Sequence, residues 1–145
     1  MFIPCAFSAS WTTDSKGRKI SRMSRPVKIQ WLTEPETHDY PAAVSFLTLI
    51  YKGKRAHRFA EALKAAPVIQ FKAKDIFRAS GLPLLGAGNS HVAKDCKKIR
   101  AGAKVSPVLL VRDSANGKVI IADGYHRVCA VYTFDEDAII PCKIV

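Results

Sequence analysis

The chain is short of acidic residues: 12 Asp and Glu stand against 23 Lys and Arg, giving a net charge of +11 over 145 residues. It also lacks any run approaching the roughly 18 apolar residues that span a bilayer. The first eleven residues are apolar but have neither a leading positive charge nor a small-residue cleavage site, so no secretory signal is expected. No C-x-x-C pair occurs among the four cysteines, Cys5, Cys96, Cys129 and Cys142. The four histidines, His38, His57, His91 and His126, show no metal-ligand spacing either. Internal repeats and low-complexity tracts are missing too. From these absences a reduced cytoplasmic protein without a membrane partner is expected. Cys96 and Cys129, set in apolar helical patterns, read as small buried hydrophobes rather than parts of a disulfide or metal site.

What is present is ordinary globular composition, 48% hydrophobic and 24% charged, in a length that suits one domain with a real core. The positive charge is uneven. Residues 1–30 hold six Lys or Arg against one Asp, residues 31–66 five against four acidic residues, and residues 67–145 twelve against seven. A basic protein favours polyanionic partners, although charge alone says nothing of fold or specificity.

Residues 1–30 have no sustained periodicity and read as a flexible basic leader. It is either an arm that touches nucleic acid or, with translation starting at Met23, not part of the protein. From Trp31, which reads as an anchor onto the core, the pattern changes. The polar stretch Glu34 to Pro41 leads into Val44, Leu47 and Tyr51 at helical spacing. Gly53 separates this from a second helix through Phe59 and Leu63 that ends at Pro67. The pair forms a helical extension over 31–66 that is expected to pack on the domain behind it, with His38 and His57 on its surface.

Val68 to Phe71 is a strand candidate, and Lys74-Asp75-Ile76-Phe77 begins a short helix. Gly81, Pro83, Gly86 and Gly88 mark a loop. Ser90 is placed to cap the next helix, whose apolar positions are Val92, Cys96 and Ile99, and Gly102 falls where it ends. Two branched apolar runs, Val108 to Val111 and Val119 to Ala122, flank Asn116-Gly117 and predict a β-hairpin. A helix with Val128, Val131 and Tyr132 on one face follows. After the acidic loop Asp135-Glu136-Asp137, Ile139 to Val145 completes a small mixed α+β domain over 67–145.

The chemistry concentrates at Asp123-Gly124-Tyr125-His126-Arg127. A strand delivers the chain to a glycine, which permits a sharp turn and close approach by a ligand. The helix beyond it presents unpaired N–H groups and the positive end of its dipole. Arg127 can offer a bidentate fork to a phosphate, and His126 can donate hydrogen bonds or titrate near neutrality. Backbone donors, dipole and cation on one spot favour an anion. The competing reading is a structural strand–helix junction with Arg127 paired to Asp123 or to the acidic loop. Gly86-Ala87-Gly88-Asn89 can likewise cradle a phosphate or be a plain loop. It is not a P-loop, because the required lysine is absent. Lys94, Lys97, Lys98, Arg100 and Lys104 form either a solvated helix face or a stripe for DNA, without interleaved aromatic residues to stack on bases.

The segment from Val68 to Val145 resembles the ParB/sulfiredoxin-like superfamily in the order of its parts. The resemblance is sharpest at Asn89-Ser90-His91-Val92, the strand pair led by Pro107, and Asp123 to Arg127. It implies a small mixed-sheet domain that binds a nucleotide or phosphate through Gly124, Tyr125, His126, Arg127, Ser90 and His91. In sulfiredoxins the turn reads G-G-C-H-R and its cysteine is the nucleophile. Tyr125 holds that place here, so the resemblance does not carry reductase activity. His126 and Arg127 match residues that engage nucleotide phosphates, and His91 falls where a phosphate-contacting lysine stands. ParB proteins bind CTP with a G-E-R-R box, of which this chain keeps Gly124 and Arg127. It has no room for the ParB helix-turn-helix, and the resemblance leaves a DNA-associated accessory role as the alternative. Free-serine kinases of the superfamily carry a D-G-H-H-R-like turn, which implies a phosphotransferase using ATP, ADP or CTP with magnesium. Asp123 would then be a general base or magnesium ligand, and Asp75 a second carboxylate or simply a helix-start residue.

Overall fold

The computed structural model describes residues 10–13, 15–22 and 27–145. Cys5 and Met23 lie outside the described residues. Within the basic leader, β1 (Ser10–Thr13) and β2 (Lys19–Arg22) pair antiparallel. The sequence pattern predicts no regular structure there, because four-residue strands around one turn are too short to show a periodicity.

The remainder is an α+β fold around a four-stranded mixed sheet ordered β3-β6-β4-β5, comprising β3 (Ile69–Lys72), β4 (Val108–Asp113), β5 (Lys118–Asp123) and β6 (Ile139–Ile144). β3 and β5 run antiparallel to their neighbours, whereas β4 and β6 are parallel. Because β4 is central, its run Val108-Leu109-Leu110-Val111 is buried on both faces. Alternation then assigns its residues to two different cores. Val108 and Leu110 pack with α3 (Ala73–Ser80), α4 (Ser90–Arg100) and α5 (Tyr125–Phe134) through Ile76, Val92, Ile99 and Val128. Leu109 and Val111 pack on the opposite face with α1 (Asp39–Leu47) and α2 (Arg55–Ala65) through Ala43, Leu47, Ala56 and Leu63.

The helix pair of residues 31–66 is therefore one of the two layers covering the sheet. A buried leucine of this kind contributes about 1.5–3 kcal/mol through area alone. Two further ties hold the pair down. Trp31 bridges Val105 and packs against the first core. Lys143 of β6, with a side chain only 4% exposed, pairs with Glu34 at 2.8 Å. It also donates to the Lys64 carbonyl at 3.0 Å, a cation at the negative end of α2.

The capping of α4 differs from expectation. Asn89, not Ser90, is the cap: it has extended dihedrals and its side-chain oxygen accepts from the backbone N–H of His91 and Val92 at 3.0 and 3.2 Å. Ser90 is already the first helical residue, from which a hydroxyl cannot reach the turn ahead. No helix of the described residues is long and apolar enough to cross a membrane.

Candidate anion site at the strand–helix turn

β5 does not run straight into the turn. Its register with β4 shifts from Leu110↔Ile121 to Leu109↔Asp123, so Ala122 is an extra residue in the strand. Such a bulge re-aims the residues beside it. Gly124 follows with φ +109°, ψ +17° and becomes the N-cap of α5, which no side chain of the described residues caps. The first turn of this helix lines a polar cavity of about 200 Å³, and its first N–H groups have no partner within the helix. Its walls are residues 123–127 and, from α4, His91, Lys94, Asp95 and Lys98.

Gly124 is needed for a second reason. A Cβ there would lie 2.9 Å from Arg127 Nη2 and 3.0 Å from a Val108 methyl. The sequence pattern points to a ligand for this close approach, but the protein's own guanidinium and valine fill it. Arg127 Nη2 donates to Asp123 Oδ2 at 3.0 Å and, more weakly, to the Pro107 carbonyl at 3.4 Å. It also stands 3.8 Å from Asp39 Oδ2, with side chains 17% and 3% exposed. Arg127 Nε is buried with no hydrogen-bond partner among the described residues. Arg127 thus lines the cavity, but one arm of its fork is committed to carboxylates.

Asp39 is the residue that sequence reasoning misses. It opens α1, is buried, and accepts at Oδ2 from the Ser106 hydroxyl and from the Glu36 N–H at 3.2 Å. The N-termini of α1 and α5 therefore converge on a carboxylate–arginine–carboxylate chain. A signal for this existed: Asp39, Ala43 and Leu47 share one i, i+4, i+8 stripe, and all three are buried. His38 beside it lies 3.3 Å from Glu36 and 3.4 Å from Asp39, so these three side chains form a carboxylate–imidazole cluster that spacing alone does not suggest.

Burial raises the pKa of Asp123; the Arg127 charge and hydrogen bond oppose the rise, and Asp39 adds to it. His126 lies against His91 (ring centroids 4.8 Å) and Tyr125 (5.6 Å). Its pKa is lowered by burial and by His91, against a smaller opposing pull from Asp95. Tyr125 is fixed by its hydroxyl donating to the Pro83 carbonyl.

Lys94 and Lys98 stand one turn apart on α4, line the cavity, and form no ion pair with a described residue. Lys97, Arg100 and Lys104 are not among its lining residues, and Arg100 instead covers Phe134 at 5.6 Å. Ser90 does not line the cavity either. Asp75 lies in the first turn of α3, 3.7 Å from Arg78, and borders a separate apolar hollow with Phe71 and Ile144. In the glycine loop, Leu85 and Ala87 pack against the first core and Asn89 N–H closes a turn on the Gly86 carbonyl at 3.0 Å. The chain matches no protein-family model, no curated protein and no solved structure.

Proposed function

We propose that the chain is a nucleotide- or phosphate-binding protein whose anion sits at the N-terminus of α5. The observation that carries this reading is the uncapped first turn of α5 opening into a cavity flanked by His126, His91, Lys94 and Lys98. Free N–H groups and a helix dipole supply directed donors, and two ammonium groups with no ion-pair partner among the described residues supply the charge. Arg127 contributes its field from below, partly neutralised by Asp123. The resemblance to ParB/sulfiredoxin-type domains belongs to this reading, since there the corresponding turn meets phosphates.

Within it, phosphoryl transfer would fall to Asp123, which with Asp95 is one of two carboxylates in the cavity wall. As a carboxylate it would be the group that shares a magnesium ion with the ligand's phosphates, an arrangement that needs only one or two protein carboxylates. Asp39 is too enclosed to join it in the cavity and instead fixes Arg127.

The test is thermal and urea unfolding with ATP, ADP or CTP, each with magnesium, and with inorganic phosphate. A ligand at a hundred times its Kd stabilises by about 2.7 kcal/mol. The stabilisation is expected to shrink in Lys94→Ala/Lys98→Ala and in His126→Ala. No shift with any anion, or an undiminished shift in these variants, would refute the reading.

A further inference from the structure

Two hollows share residues 123–126 in their walls. The polar cavity lies on the α4 side. On the α1 side, a groove of about 400 Å³ runs past Ala42, Phe46, Leu82 and Ile121 to reach the same four residues, Asp123 to His126. Phe46 of α1 and Leu82 of the loop after α3 each leave 42% of their surface exposed there. One side of the turn therefore offers ammonium, imidazole and N–H groups, and the other offers hydrocarbon.

The dimensions bear on the ligand. Small-molecule sites occupy roughly 300–1,000 Å³, a range the polar cavity alone does not reach. It is large enough for a phosphate group and smaller than such sites. The groove reaches that range by itself.

We infer that the ligand is a phosphate ester with an aromatic organic part, of which nucleoside 5′-phosphates are the familiar members. Its phosphate sits at the start of α5 and its ring lies between Phe46 and Leu82. The inference rests on the anion-binding reading above and deepens it. It gives α1 a direct part in recognition, as the wall that distinguishes an aromatic ester from a bare or polar phosphate. Asp123 and His126 border both hollows, so they are the polar groups available to read the edge of the ring.

Calorimetric titration of the full chain with four probes tests it: inorganic phosphate, phosphoserine, 1-naphthyl phosphate and adenosine 5′-monophosphate. The two aromatic esters are expected to bind about tenfold more tightly than the other two, the scale of one good aromatic contact. Phe46→Ser and Leu82→Ser, both at exposed positions, are expected to erase that margin and leave binding of inorganic phosphate unchanged. Phosphoserine or inorganic phosphate binding as well as the aromatic esters would overturn the inference, and so would a margin that survives both substitutions. In either case the anion site stands. Failure of all four probes to bind would instead overturn the anion-binding reading, and this inference with it.

Discussion

Replacing Gly124 by alanine tests the inward arrangement of Arg127 directly. A non-glycine residue held at φ +109° costs about 1–2 kcal/mol in backbone strain. The new methyl would also stand 2.9 Å from Arg127 Nη2 and 3.0 and 3.2 Å from the two Val108 methyls. The arginine's end can swing away only by releasing Asp123, and Val108 is fully buried on the central strand. Overpacking of this kind adds about 1–3 kcal/mol, for a total of about 2–5 kcal/mol. With an unfolding entropy of about 2.1 cal/mol/K per residue, each kcal/mol lowers Tm by about 3 °C, so a drop of roughly 6–15 °C is expected. Gly117→Ala is the control, because Gly117 has φ +63° and a Cβ added to it would meet none of the described residues within 4 Å; only the strain applies. Urea unfolding followed by circular dichroism compares the two. If Gly124→Ala were no more damaging than Gly117→Ala, the guanidinium and Val108 would not crowd the glycine, and the account of the turn would be wrong.

Other expectations follow from the same geometry. Arg127→Ala strands Asp123 and Asp39 without their cation and should destabilise by about 3–5 kcal/mol in urea; Asp39→Ala in the same background should add less than it costs alone, because the two act as one network. His126 has its pKa lowered from 6.5, so below that value the unfolded chain binds the proton more readily. Stability should therefore fall as pH drops through 6.5 and level off below the folded pKa, and His126→Gln should remove that component of the urea-midpoint profile. A bound phosphate favours the imidazolium, so its affinity should rise over the same descent in pH. Leu63→Ala should cost about 2–5 kcal/mol while calorimetry shows inorganic phosphate binding intact; a cost under about 1 kcal/mol would mean that α1 and α2 do not share the folding unit.

Elements set by short-range chemistry were legible in the sequence. The glycines at 53, 81, 102 and 117 mark breaks, and each has positive φ. The paired apolar runs and the helix after Gly124 appear where periodicity places them. What escaped depends on contacts across long separations. Asp39 meets Ser106 over 67 residues, and its position within a polar, proline-containing stretch concealed that it falls on α1's buried stripe. The direction of Arg127 was equally hidden. The D-G-x-H-R spacing is compatible with a cation facing a ligand or facing Asp123, and Asp39 and Val108 decide between them.

The two-sided burial of β4 has a consequence for folding fidelity. A strand with one wet face is punished for slipping by a single position, because hydrocarbon would then meet water. Here a slip would exchange Val108 and Leu110 for Leu109 and Val111, oil for oil, so hydrophobicity within this run discriminates less. The turn at Gly117 fixes the register at one end of the strand, and polar groups add to it at the other: Ser106 reaching Asp39, and the Pro107 carbonyl reaching Arg127. The same charged chain that shapes the cavity would thereby serve as the fold's alignment pin, and in Ser106→Ala or Asp39→Ala the amide signals of β4 should split into two sets.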